Sequence, residues 1–336
     1  MPTLFPQLER GQHLVGIAKL ASQGEALSEG HDVEYLTLEN RSVLTRCKSP
    51  RMPFAWMVNP YRGCEFACKY CYARYTHEFM ELRDGADFER KIYVKQHTGW
   101  VLRQELKRVR QGETIAIGTA TDPYQPAERR YGITRAILEE FARNEGFHIG
   151  LITKSTLILR DLELLKTVAG KNHLSVCVTV TTMDADLARA LEPRAPRPDL
   201  RMRALQKLSE AGIRAGVNCA PVLPGLTDSP GDLERVVQAG AEAGAAFVFS
   251  NALFLKPCSA KVFFPFLEQK FPHLVSLYRA RYAERAFLPE QYSRRVSRLV
   301  KSYCERHGLK LRDGMPRARA RTQDSAERAA QLDLFS

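Results

Sequence analysis

Six apolar, strand-like runs recur along the middle of the chain: FAWMV (54–58), TIAIGTA (114–120), HIGLITKS (148–155), LSVCVTVTT (174–182), IRAGVNCAPVL (213–223) and AAFVFSNAL (245–253). Between the later runs lie TRAILEEFARN, LRDLELLKTVAG and RMRALQKLSEAG, whose apolar residues return every three or four positions, as a one-sided helix requires. Strands spaced by helices pair in parallel through right-handed crossovers. About six such units make either an incomplete (β/α) barrel or a doubly wound sheet, and in both forms ligands collect at the carboxyl ends of the strands. Residues 1–50 show no sustained period and read as an irregular lead-in. After residue 255 the strand pattern stops, and YSRRVSRLVKSYCERHG predicts a helix within a C-terminal region over 256–312. From residue 313 the chain is polar, charged and poor in large apolar groups, so a flexible tail is expected over 313–336.

A chain of 336 residues with 44% hydrophobic content can bury a full core, which excludes disorder throughout. The opening MPTLFPQLERGQHLVG lacks a basic region followed by an apolar run, and stretches such as AAFVFSNALFL are too short to span a bilayer. A soluble cytoplasmic protein with reduced cysteines and no membrane partner is therefore expected. The net charge of +12 is uneven: residues 294–321 carry ten Lys or Arg against two acids, and residues 1–50 five against six. Such a basic stretch suits a polyphosphate partner, or serves as a solvated face.

Three of the eight cysteines, Cys64, Cys68 and Cys71, fall within GCEFACKYCY, directly after the first strand-like run. Thiolates select soft metals, which leaves zinc or an iron–sulfur cluster. Structural zinc takes four protein ligands, commonly from paired Cys-x2-Cys knuckles, but only one such pair is present, and Cys47 lies in a different segment. A cubane normally takes four cysteines, so three leave one iron open for a ligand that is not protein. Cys177, Cys219, Cys258 and Cys304 are scattered and form no second group. His77 and Glu78 lack a second His at helical spacing and read as surface polar residues. Asp122, before Pro123, reads as a turn or cap.

The Cys-x3-Cys-x2-Cys pattern with Tyr70 before the last cysteine resembles the radical S-adenosylmethionine (SAM) superfamily. Over about residues 50–255, NPYRGCEFACKYCYAR, GTATDPYQPAERR, ITKS, LEPRAPRPDLRMRALQKLSEAGI and CAPVLPGLTD together resemble the subgroup containing spore photoproduct lyase. That resemblance implies a partial (β/α)6, TIM-like barrel and a 4Fe-4S cluster on Cys64, Cys68 and Cys71. It implies S-adenosyl-L-methionine on the open iron, split by one electron to methionine and a 5′-deoxyadenosyl radical, with flavodoxin or ferredoxin as the type of electron donor. It further implies cofactor contacts from Tyr70, Thr121, Lys154 and Thr179, and hydrogen-atom return through Tyr70 and Tyr72. The lyases quench their product radical with a cysteine where this chain has Thr119, and the stronger O–H bond makes threonine a poor donor. The implied substrate is damaged or modified DNA; modification of RNA or protein, or a metal-stabilised adaptor without turnover, are the alternatives.

The chain ends QLDLFS, and Gln331, Leu332, Asp333, Leu334 and Phe335 resemble the bacterial consensus that binds the β sliding clamp. There Leu334 and Phe335 would enter an apolar pocket while Gln331 makes a directional hydrogen bond.

Overall fold

A computed structural model describes residues 14–30, 32–49 and 52–310. Among the described residues, eleven strands form two sheets. In chain order they are β1 (Ala26–Gly30), β2 (Val33–Leu38), β3 (Leu44–Arg46), β4 (Trp56–Val58), β5 (Tyr61–Arg62), β6 (Lys91–Lys95), β7 (Thr114–Ile117), β8 (His148–Thr153), β9 (His173–Thr179), β10 (Ala215–Val222) and β11 (Val248–Ala252). The larger sheet has the order β11-β10-β9-β8-β7-β4-β3. Its six strands from β4 to β11 are all parallel; five fall inside one of the six apolar runs, and β9 begins one residue before its own.

Their order follows the chain without reversal, which separates the two architectures the sequence left open. A doubly wound sheet reverses its winding at a switch point, whereas a barrel adds every strand on the same side. This is a partial, TIM-like (β/α)6 barrel. The strands β7, β8 and β9 are almost wholly buried, because helices cover one face and the barrel interior fills the other. Val176, Val178, Ile117, Leu151 and Val217 lie in one apolar cluster with Leu205, Leu208, Val236 and Val237 from the helices Pro198–Glu210 and Pro230–Glu242.

The lead-in differs from its sequence reading. Residues 16–46 hold a helix (Gly16–Ser22) and three strands, so the stretch is not irregular among the described residues. β1 and β2 join β6 and β5 in a second, four-stranded sheet, and β3 adds an antiparallel edge to the barrel sheet. The strands are short, and their neighbours only half cover them; β2 buries Val33 and Leu38 while leaving Glu34 exposed and Tyr35–Thr37 half-buried. Neither a strict alternation nor a continuous apolar run results, so the pattern escapes a periodicity search.

Beyond the barrel lie helices Pro257–Lys270, Val275–Tyr282 and Glu290–Arg306, as the sequence predicts for this region. The last buries Val296, Val300, Tyr303 and Cys304, which share one helix face because each of the last two lies three or four positions beyond Val300. Gly308, at φ 68°, stops it: Gly308 N–H donates to Glu305 O and Leu309 N–H to Cys304 O, the paired bonds of a Schellman end. Among the described residues no helix is long and apolar enough to cross a membrane. The tail and its residues Gln331–Phe335 lie outside the described residues.

Candidate active site

The cysteine loop begins where β5 ends. Gly63 has φ 84°, and a Cβ there would stand 2.7 Å from Lys91 O and 2.9 Å from Phe88 O, so only glycine can thread this point. Cys64 N–H then donates to Phe88 O at 2.9 Å, and Ala67 takes a left-handed φ of 55° that turns the chain between the first two cysteines. Lys69 N–H donates to Leu191 O, tying the loop to the end of helix Ala185–Leu191. Glu65 reaches the other way: Tyr35 OH and Ala127 N–H donate to its two oxygens at 2.9 and 2.8 Å. Arg74, itself buried, donates to Cys68 O at 3.1 Å and pairs with Glu89.

The loop brings Cys64, Cys68 and Cys71 together, the first two buried and the third half-buried. Burial pushes all three thiols up, Cys68 to about 12. Opposing that, the backbone amides of Phe66 near Cys64 and of Ala73 near Cys71, with Lys154 beside Cys68 and Arg74 beside Cys71, favour the anion. Buried thiols with amide donors and nearby cations suit thiolates held against a metal centre, which deprotonates sulfur outright. Among the described residues no three His, Cys, Asp or Glu side chains converge on a point for one ion. A cubane asks for something else, since each thiolate binds its own iron.

Several residues named from the sequence share this rim. Thr121 Oγ1 donates to Gly63 O at 2.6 Å and accepts from Gln125 Nε2, so its hydroxyl braces the loop. Asp122 is buried and does more than cap: it accepts from Thr153 Oγ1 at 2.6 Å and from the N–H groups of Lys154 and Tyr124, locking the β7 and β8 ends together. Lys154 Nζ lies 4.0 Å from Glu192 Oε1 and 5.8 Å from the Tyr70 ring centroid. Thr179 Oγ1 accepts from Asn218 Nδ2 at 2.9 Å. The two tyrosines diverge: Tyr70 is buried and its hydroxyl donates to Glu192, whereas Tyr72 is 39% exposed and its hydroxyl donates to Thr119 O. Thr119 Oγ1 is held by Asn59 Nδ2 at 3.2 Å.

Sequence reasoning missed Glu192 and Arg201. Both are buried, with Arg201 Nη2 2.5 Å from Glu192 Oε2. Arg201 also donates to Pro196 O and Thr179 O, so it links β9 to the Glu192 loop. Burial alone would raise the Glu192 carboxyl, but Arg201 and Lys154 outweigh it and hold the group below the usual carboxylate range. The only trace of this pair was the string LEPRAPRPDLR, since charged residues carry no periodic signal of burial.

His77 is also corrected: it is buried, not a surface residue, packed edge-on to Phe88 at 5.2 Å with Nε2 3.1 Å from Lys91 O. Glu78 stays exposed. Burial lowers the His77 imidazole from 6.5 to about 4. Below pH 6.5 the unfolded chain takes up a proton that the folded chain refuses, so stability falls as pH drops from 6.5 to 4. At ~1.4 kcal/mol per pH unit this amounts to about 3 kcal/mol. Urea titrations of His77→Gln should show that acid limb flattened; a limb as steep as that of the parent chain would assign it to other groups.

Residues 58–237 match the family model described as the radical SAM superfamily. The chain belongs to the radical SAM superfamily. Members use a 4Fe-4S cluster and S-adenosylmethionine, and those are the cofactors of this chain. An uncharacterized protein of Mycobacterium tuberculosis strain H37Rv is 39% identical over 257 residues, 75% of each chain. An uncharacterized protein of Methanocaldococcus jannaschii is 26% identical over 261 residues, 77% of this chain and 92% of that one. Among solved radical SAM folds, spore photoproduct lyase complexed with dinucleoside spore photoproduct superposes with a TM-score of 0.64 at 15% identity, over 82% of this chain and 81% of that one. A lyase variant with bound AdoMet and the same dinucleoside gives 0.61 over the same shares.

Proposed function

We propose that this radical SAM enzyme acts on damaged or modified DNA, with a cluster held by Cys64, Cys68 and Cys71. What supports the ligand set is the loop itself: three gathered sulfurs, backed by amide donors and cations, on the carboxyl rim of the barrel. When bound, the cluster supplies the electron that reductively cleaves S-adenosylmethionine. Around it the protein binds and orients: Lys154 offers an ammonium suited to a carboxylate, and Glu192, neutralised by Arg201, positions both Lys154 and the Tyr70 hydroxyl. Thr121 and Thr179 complete the cofactor pocket, the first by fixing Gly63 O. Tyr72, exposed at the mouth, is the better placed of the two tyrosines to meet substrate.

DNA as substrate rests on the likeness in fold to spore photoproduct lyase and on the net charge of +12. Thr119 in place of the lyase cysteine directs the reading to a lesion other than spore photoproduct. Anaerobic reconstitution, followed by 5′-deoxyadenosine release with intact duplex, ultraviolet-damaged duplex, RNA and peptide, tests the assignment. Stimulation by damaged DNA is expected; stimulation by RNA or peptide alone would defeat it. A flavodoxin or ferredoxin is the fitting reductant.

We also propose recruitment by the β sliding clamp through Gln331–Phe335. A short apolar motif gives modest affinity, enough for recruitment. Leu334→Ala with Phe335→Ala should abolish clamp binding in surface plasmon resonance and leave iron content unchanged. Unaltered affinity would exclude the motif.

A further inference from the structure

Aromatic side chains line one side of the site mouth. The segment after β11 passes next to the cluster loop, where Ser259 Oγ donates to Cys71 O at 2.8 Å. Within it, Phe254 forms a β-bridge with Phe287, secured by Leu255 N–H donating to Ala286 O at 2.9 Å. The two rings stack, 4.3 Å apart and 21° from parallel. Phe254 also meets Tyr72, the residue after Cys71, at 6.2 Å. Lys256 Nζ sits 5.9 Å from the Phe254 ring and 3.7 Å over Tyr75, whose ring meets Phe79 edge-on at 5.7 Å. Thus Phe287, Phe254, Tyr72, Lys256, Tyr75 and Phe79 form one strip, with a cation set among the rings.

The strip is left open to solvent. Phe79 is 61% exposed, Phe287 49% and Tyr72 39%. Contiguous exposed aromatics on a soluble chain mark a surface built for contact. Their order narrows the occupant. A broad aliphatic patch would suit a lipid or a helix; here aromatic rings gather about Phe254, and Lys256 lies between the Phe254 and Tyr75 rings. Proteins that hold unpaired strands combine ring faces, on which bases stack, with cations that follow the phosphates. A chain carrying +12 overall suits that polyanion.

We propose that this strip binds an unpaired stretch of DNA, with Phe254 and Phe287 as a stacking step for a base beside Tyr72 and Lys256 facing the backbone phosphate. The inference deepens the DNA-directed reading and rests on it. It assigns the substrate form: a nucleotide out of the duplex stack, delivered to the mouth by stacking and independent of sequence.

Fluorescence anisotropy on the reconstituted full chain tests it, using a labelled oligothymidylate and a duplex of equal length across a salt series. The native chain should favour the single strand. Phe287→Ala, and Phe254→Ala with Phe287→Ala, should weaken single-strand binding by roughly tenfold or more. Lys256→Gln should reduce the salt slope by about 0.7. Trp100→Ala, a change at an aromatic 64% exposed outside the strip, should have no effect. Phe287 is half exposed, so its single variant stays informative even where the double variant fails to fold. Single-strand binding unchanged in Phe287→Ala and Lys256→Gln, or binding of duplex alone, would overturn the strip and leave the DNA reading standing. A native chain that binds neither form overturns both.

Discussion

Cys68→Ala should reduce 5′-deoxyadenosine formation to background and remove most of the iron and the visible absorbance of the reconstituted protein. Cys64→Ala and Cys71→Ala should do the same. The change in side-chain size is small, so the loss would come from coordination: a cubane left with two thiolates has lost a fixed point of attachment. Cys68 is the most informative of the three, because Lys154, Glu192 and Arg201 all surround it. Cys219→Ala supplies the control. Cys219 is buried in β10 among core residues and stands apart from the loop, so its loss should cost about 1 kcal/mol of stability and leave iron content intact. Full iron loading in Cys68→Ala, measured together with retained cleavage of S-adenosylmethionine, would sink the assigned ligand set.

Arg201→Met should destabilise the chain by about 3–5 kcal/mol, since it strands Glu192 as a buried charge. Lys154 at 4.0 Å is a partial substitute, which places the expectation toward the lower end. Adding Glu192→Leu should recover much of that stability, because an apolar pair of similar volume removes the desolvation cost as well as the attraction. It should not recover function. Without Glu192 the Tyr70 hydroxyl and the Lys154 ammonium both lose the group that orients them, so affinity for S-adenosylmethionine should stay reduced in the stable double variant. Urea midpoints and equilibrium binding of the cofactor read the two effects separately. A double variant that binds S-adenosylmethionine like the parent chain would restrict the pair to a structural role.

The barrel was legible because its strands are buried on both sides. β7 through β10 read as near-continuous apolar runs, and the glycine-punctuated helices between them fixed the parallel pairing. The order of the strands was not legible, since either architecture satisfies the same pattern; it took β8 beside β7 and β9 beside β8, where a doubly wound sheet would return one of them to β4, to settle it. The cysteine loop was visible for a chemical reason, spacing, which survives any fold. The groups that brace it were hidden. Glu65, Arg74, Glu192 and Arg201 are charged residues that burial would ordinarily exclude, and each is tolerated because a partner meets it inside. Glu65 and Arg74 meet partners as distant as Tyr35 and Glu89, outside any local window, while Glu192 and Arg201 share one short string whose charges give no sign of burial.

The barrel sheet ends at β3 on one side and β11 on the other, and these two strands do not pair with each other. Each margin of the arc is finished by a piece of chain from outside the six repeated units: the antiparallel β3 at one end and, at the other, Lys310, whose carbonyl accepts from Val248 N–H at 3.1 Å.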